Sequence, residues 1–457
     1  MRLHLVALVF LIGLPAFSAD ARTLKVSDNR RFLTFSDGQP FFWLGDTAWE
    51  LFHRLNREDA EYYLENRRQK GFTVIQAVVL AELDGLNTPN PYGEKPLHGN
   101  DPRRPNERYF EHVDFIIRTA HEKGLFIALL PTWADKVNAR RGNPNVIFDR
   151  ENARVYGQWL GSRYRNQPNI VWVLGGDREA EGYEELWASM AEGLRAGDGG
   201  AHLKTFHPYG RRSSSEWLHE AQWLDFNMIQ TGHSQRDNPS YEFIRMDYRR
   251  KPVKPVLDGE PRYENHPVDW KPAVFGWFDE YDARQAAYFA LFAGAFGHTY
   301  GCHDVWQMLE PGRAPIGFAR GQWKTSLDLP GAFQMGHVRR LMESRPMLDR
   351  IPDQGLAGVG FGGDSVLSTR GLDYAFVYSA SGRRFTVEMG RIRGERVKAW
   401  WFDPRTGKAT PAGEFANHGF QEFDPPGEPE RGNDWVLILD DASRGYPPPG
   451  SLQPVPR

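Results

Sequence analysis

The sequence predicts an α/β fold, a (β/α)₈ barrel followed by a C-terminal antiparallel β-sandwich, and three observations predict it. Between residues 41 and 350, short apolar runs alternate with helical stretches eight times over about 300 residues, the repeat count of such a barrel. The runs are rich in β-branched and aromatic residues and lack polar alternation, as parallel strands covered on both faces do. After residue 350 the pattern changes to short alternating strands separated by turn formers, which reads as a small sandwich. A doubly wound open sheet is the rival, and it would open on a phosphate-binding glycine loop that is missing here.

Taken in order, the expected barrel strands are Phe41–Asp46, Val74–Leu80, Phe126–Thr132, Ile170–Gly175, Leu203–His207, Phe226–Gln230, Pro255–Gly259 and Gly297–Gly301. Helices are expected over Arg57–Lys70, Glu107–Lys123, Ala153–Tyr164, Tyr183–Arg195, Glu216–Gln222, Glu242–Arg250, Ala283–Phe296 and Ala332–Met342. In the second of these, Phe110, Val113, Ile117 and Ala120 recur at helical spacing, and Gly71 and Gly124 follow the first two helices as terminators. The sandwich strands are expected at Tyr374–Tyr378, Arg384–Glu388, Val397–Phe402 and Trp435–Leu439. Ser381-Gly382, Asp403-Pro404 and Pro425-Pro426-Gly427 supply the turns between them. The expected units are therefore a catalytic barrel over 22–350, a sandwich over 351–442 and a proline-rich tail over 443–457.

Residues 1–21 read as an export signal. Arg2 forms the basic start, Leu3 to Leu14 the apolar stretch, and Ala19-Asp20-Ala21 a small-x-small cleavage site. A secreted or periplasmic protein is expected. Lys and Arg number 56 against 59 Asp and Glu, so no basic excess points to nucleic acid or an anionic bilayer. No later apolar run reaches the length of a membrane span. Cys302 is the only cysteine, which rules out an intramolecular disulfide and a cysteine-based zinc site. His298, His303 and Asp304 share one short segment without matching ligands elsewhere, so no metal and no cofactor are expected.

In a barrel of this kind the active site lies at the C-terminal ends of the strands. That rule picks out Asp46 after strand one, Glu82 after strand two, Trp133 after strand three and Asp177-Arg178 after strand four. Strand five adds His207 and Tyr209, strand six Gln230 and His233, strand seven Asp258 and Glu260, and strand eight His298, Tyr300, His303 and Trp306. Carboxylates and aromatics crowd this rim, while no serine sits in a nucleophile elbow and no cysteine adjoins a histidine. Glycosidic chemistry fits that set. Asp177 follows the paired Gly175-Gly176, and Glu260 ends Pro255-Val-Leu-Asp-Gly-Glu, so the two acids project from opposite sides of the barrel mouth. Retaining glycosidases hold two carboxyls about 5–5.5 Å apart and inverting ones about 6.5–9.5 Å, a choice that sequence spacing leaves open. Either acid could instead cap a loop or pair with its neighbour, Arg178 or Arg262.

Phe42-Trp-Leu-Gly-Asp-Thr-Ala-Trp49, Ile170-Val-Trp-Val-Leu-Gly-Gly-Asp177-Arg178, Asp258-Gly-Glu-Pro261 with Tyr263-Glu264, and Tyr300-Gly301 with Trp306-Gln307 resemble the apiosidase-like glycoside hydrolases of family 140. The resemblance extends over nearly the whole mature chain, including a C-terminal domain labelled collagen-binding. It implies a retaining barrel enzyme acting on apiose-linked side chains of a plant pectin, with Asp177 as acid/base and Glu260 as nucleophile. Burial under Trp172 is one way to raise the Asp177 pKa above that of its partner. Asp46, Trp133, His207, Tyr209, Gln230, Tyr300 and Trp306 are candidates for substrate contact; Asp46 serves equally as a helix N-cap, Trp133 and Trp306 equally as core, and Glu264 as an ion-pair partner. Leu83–Arg104 is expected to build one wall of the pocket. Two further readings stand beside this one: the same barrel and acid pair acting on another glycan, such as an arabinofuranoside, and a carbohydrate-binding protein that has lost turnover.

Overall fold

The computed structural model describes residues 22–138 and 145–451; the expected export signal and residues 452–457 lie outside the described residues. The eight barrel strands are Trp43–Thr47, Val74–Leu80, Phe126–Thr132, Ile170–Gly175, Lys204–His207, Asn227–Gln230, Val256–Asp258 and Gly297–Tyr300. All are buried on both faces, and strands two to four accordingly read as nearly unbroken apolar runs. Parallel ladders join the first five in sequence, join six to seven and seven to eight, and return from eight to one, pairing Gly297 with Trp43 and Tyr300 with Asp46. Between strands five and six there is no regular ladder. The Asp225 N–H donates to the Lys204 carbonyl (2.9 Å) and the Thr205 hydroxyl to the Phe226 carbonyl (2.7 Å), and these bonds close the ring. A ninth, antiparallel strand, Arg212–Ser213, pairs with the sixth.

A three-stranded antiparallel sheet (Leu24–Val26, Leu33–Phe35, Pro40–Phe41) lies before the barrel and packs Phe35 and Phe41 against Phe126 at the start of strand three. It therefore plugs the end of the barrel opposite the strand C-termini. The helix expected at Ala283–Phe296 runs over Glu280–Ala293, beginning earlier because Asp279 and Asp282 form a reciprocal capping box, and stopping at Gly294, whose φ is 116°. Every residue from Tyr281 to Ala293 is buried. One side of this helix meets the barrel, and the other meets the C-terminal domain.

That domain is a six-stranded antiparallel sheet in the order Ile351–Pro352, Val366–Arg370, Tyr374–Ser379, Trp435–Asp441, Arg396–Asp403, Lys408–Ala416. A two-stranded sheet, Phe385–Glu388 with Phe420–Phe423, covers its outer face. Side-chain alternation divides the work. Phe376, Tyr378 and Ile438 belong to the core shared with the barrel, while Val377, Leu437 and Leu439 pack against Phe385, Val387 and Phe423. The Tyr378 ring stacks on Tyr288 of the buried helix at 4.6 Å.

Candidate active site

At the C-terminal end of strand four, three successive residues take positive φ: Gly175 (90°), Gly176 (122°) and Asp177 (55°). A Cβ on Gly176 would lie 2.5 Å from the Trp133 ring, so only glycine lets the backbone rest on that indole. The turn that results swings Asp177 over the barrel mouth. At strand seven, the Gln76 side chain donates to the Gly259 carbonyl (2.9 Å), and the Gly232 N–H donates to the Glu260 carbonyl (3.0 Å). The backbone at Glu260 is thereby fixed by a side chain of strand two and by a backbone N–H of the loop after strand six.

Both acids line one cavity of about 290 Å³. The Glu260 carboxylate is 7% exposed as a residue and faces two imidazoles. His233 Nε2 is 3.0 Å from Oε1, and His207 Nε2 is 3.0 Å from Oε2, the latter turned out of line for a straight hydrogen bond but close enough to pair electrostatically. Burial would raise the Glu260 pKa; the two histidines outweigh it and hold the group at about 2. Asp177 behaves oppositely. Crowding by protein atoms, then the charge of Glu260, push its pKa up to about 6 against the pull of His207 and Arg178. Its side chain still keeps 45% of its surface open to the cavity. Arg178 is only a weak partner, with Nη1 3.9 Å from the carboxylate and 2.7 Å from the Asp177 carbonyl. Arg262 turns away from Glu260 altogether and bonds Gln285 (2.8 Å).

Of the residues singled out in the sequence, Trp133, Asp177, Gln230, Glu260 and Trp306 line the cavity, and His207 is buried against Glu260. Three others are not among the lining residues. Asp46 is fully buried below the site, where Oδ2 accepts from Arg67 Nε (2.7 Å) and the Tyr63 hydroxyl (2.5 Å). The Tyr300 hydroxyl donates to Glu264 (2.5 Å), and the Gly331 N–H donates to the same carboxyl (3.2 Å). Glu264 thus has hydrogen bonds in place of the expected ion pair, and burial pushes its pKa up to about 7. Tyr209 stacks on Trp217 and takes a hydrogen bond from Arg212 (3.2 Å). Trp172 points outward, its N–H on Asp198 (2.9 Å), and does not cover Asp177; the indole beneath that strand end is Trp133. No residue of Leu83–Arg104 lines the cavity either; its walls come from Gly210–Arg211, Gly232–Ser234 and Tyr263–Trp270.

The cavity also holds residues that the strand-end rule noted without a role or passed over. Glu82 is a third lining carboxylate, and burial, followed by the charges of Glu50 and Asp177, holds its pKa well above the usual range. His233 stacks on His266 (4.1 Å), which lies edge-on to His303 (4.3 Å). His303 Nδ1 accepts from the Trp306 indole (3.1 Å) and Nε2 donates to the Gly317 carbonyl (2.8 Å), which fixes a neutral ring. Strand-end position found the two acids and also His233 and His303; His266, between them, belongs to the loop after strand seven, beyond the reach of that rule. Among the described residues, no group of three or more His, Cys, Asp and Glu is arranged to hold a metal ion, and Cys302 is a buried free thiol. No described helix is long and apolar enough to cross a membrane.

Two acids with oppositely displaced pKa values thus face one cavity beside the indoles of Trp133 and Trp306, an arrangement that suits acid–base chemistry. The model described as "Apiosidase-like, catalytic domain" matches residues 27–349, and that described as "Putative collagen-binding domain of a collagenase" matches residues 351–440. A solved structure described as a glycoside hydrolase is 37% identical, with a TM-score of 0.87, covering 93% of this chain and 98% of its own. A glycoside hydrolase of family 5 from Bacteroides vulgatus ATCC 8482 is 34% identical, also at 0.87, over 93% of this chain and 95% of its own. Among curated proteins no relative matches.

Proposed function

Because this chain belongs to the apiosidase-like family and is a glycoside hydrolase, we propose that it acts by retaining double displacement on a furanosidic, apiose-type linkage in a plant pectic side chain. Glu260 is the nucleophile and Asp177 the acid/base. The observation that carries this reading is the opposite displacement of two acids in one cavity, Glu260 down to about 2 and Asp177 up to about 6. Between those values the pair holds one proton, and Asp177 carries it.

The steps follow from that distribution. The ionised Glu260 oxygen attacks the anomeric carbon while Asp177 gives its proton to the departing glycosidic oxygen, leaving a glycosyl ester on Glu260. The ester has no charge, so one of the causes that held the proton on Asp177 disappears. Asp177, now a carboxylate, takes a proton from water as that water attacks the same carbon. The ester breaks, Glu260 regains its charge, and the sugar leaves with its original configuration. His207 and His233 stabilise the nucleophile before attack and after release, while Trp133, Gln230 and Trp306 contact the ring. The cavity volume, about 290 Å³, is at the small end for ligand pockets. The reading includes export, on the pattern of residues 1–21, and a supporting role for the C-terminal sandwich.

The test is a proton NMR time course on a panel of apiosides and arabinofuranosides. The expected first product is the free sugar in the anomeric form of the substrate, with apiosides preferred, and Asp177→Asn slower by about 10²–10⁴-fold on unactivated leaving groups. An inverted first product, or a Glu260→Gln variant with wild-type turnover, would overturn the mechanism. Preference for arabinofuranosides would replace the sugar and leave the mechanism standing.

A further inference from the structure

Beyond the acid pair, the loop after strand seven presents an indole that the mechanism does not use. Trp270 lines the cavity, yet it is 49% exposed. Beside it the loop after strand eight brings Gly317, at which any Cβ would strike the Trp270 ring, followed by Phe318, 61% exposed. A large apolar ring left in water costs free energy, and one exposed at a pocket mouth is of the kind that marks binding surfaces.

The backbone beneath these rings is strained. Asp269 (φ 53°), Trp270 (58°) and Phe318 (64°) all take left-handed conformations that bulky side chains avoid. They are kept there by hydrogen bonds: the Asp269 N–H to the His233 carbonyl (2.9 Å), the Val268 N–H to the Gly276 carbonyl (3.0 Å), and His303 to the Gly317 carbonyl (2.8 Å). The Trp270 ring itself stands edge-on to His266 at 4.4 Å, so its face is oriented before any ligand arrives. Two buried polar atoms at the same side of the cavity, Ser234 Oγ and His266 Nε2, have no hydrogen-bond partner among the described residues.

We infer that Trp270 is a stacking platform for a second sugar ring, the unit next to the one held between Asp177 and Glu260. This rests on the glycosidase reading above and deepens it: the sugar beyond the cleaved linkage is recognised through Trp270. A sugar presents one face of C–H groups and a rim of hydroxyls. The indole matches the face, and Ser234 and His266 supply hydrogen-bonding atoms toward the rim. Continuity with the catalytic cavity selects this occupant, because a ring on Trp270 adjoins the ring between the acids.

The experiment compares two substrates of the sugar that wild type releases: its glycosyl fluoride, whose leaving group is one atom, and an oligosaccharide in which that sugar is linked to others. Turnover of the fluoride by wild type reports on the glycosidase reading, and the ratio between substrates reports on the platform, so the two fail separately. Trp270→Ala is expected to lower kcat/KM on the oligosaccharide by about tenfold or more and on the fluoride by less than threefold, with Trp270→Phe recovering most of the loss. Fluoride turnover also shows that the variant has folded. Equal losses on the two substrates, or no loss on either, would overturn the platform.

Discussion

Asp177 occupies a backbone region that costs a non-glycine residue about 1–2 kcal/mol. Ten described non-glycine residues have positive φ, and four of them (Asp177, Arg211, Asp269 and Trp270) line one cavity. Strain concentrated in that way is the mark of side chains aimed by the fold against local preference. The acid pair makes the clearest forecast at this scale. Turnover needs Glu260 ionised and Asp177 protonated, so kcat/KM should rise as pH passes about 2 and fall as it passes about 6. Replacing His233 removes a partner that favours the charged form of Glu260, and the sign follows. In His233→Ala the acid limb should move up toward the ordinary carboxylate range, while the alkaline limb, set by Asp177, stays near 6. A pH–rate series of the two proteins on one soluble substrate checks this; an acid limb that did not move would mean that His233 does not tune the nucleophile.

At the scale of elements, the tightest contact of the barrel's outer layer is between helices Arg150–Tyr164 and Glu184–Asp198. Gly157 and Gly161 on one, and Gly193 and Gly197 on the other, lie against the partner's backbone; a Cβ on Gly157 would be 2.5 Å from the Met190 carbonyl oxygen. Alanine in a helix gains about 1 kcal/mol over glycine. At Gly193 the new methyl would meet the Arg154 carbonyl, a backbone atom that moves only with its helix. Overpacking therefore wins, and Gly193→Ala is expected to destabilise by about 1–3 kcal/mol, read as a lower urea midpoint with an unchanged slope. A variant as stable as wild type would mean that the helices part without cost.

The same contrast between buried and exposed elements explains what the sequence made legible. Barrel strands are covered on both faces, so short runs rich in apolar, β-branched and aromatic residues marked them, and all eight fell within a few residues of their expected positions. Lys408–Ala416 did not, because its sheet-edge position leaves most of its residues exposed or half-buried and admits Pro411. The two- and three-residue strands before the barrel were too short to show any period. Within the site, Asp177 and Glu260 were found because barrel topology ties strand ends to chemistry. Asp46 and Tyr300 obey the same rule yet are buried against Arg67 and Glu264, since a strand end also meets the helix layer.

For the whole molecule, the question is whether barrel and sandwich unfold as one body. Helix Glu280–Ala293 is buried on all sides from Tyr281 onward because it belongs to both cores, and its single cation, Arg284, reaches across. The guanidinium donates to both oxygens of Asp434 in the sandwich (2.9 and 2.6 Å) and to Gln334 (2.6 Å), while Tyr378 donates to the same carboxylate (3.1 Å). Arg345 and Asp440 repeat the bidentate pair nearby, at 2.7 Å for each bond. A buried pair of this kind adds little net stability, but removing one member leaves a desolvated charge that costs about 3–5 kcal/mol. Asp434→Ala is therefore expected to lower stability by that amount, and an Arg284→Met/Asp434→Leu double variant to regain most of it. Because Arg284 sits in a helix that both cores share, the loss should appear as a shift of one transition, with barrel and sandwich probes moving together in urea. Two separate transitions, with Asp434→Ala displacing only one, would show instead that the sandwich is an appended module and that the buried helix belongs to the barrel alone.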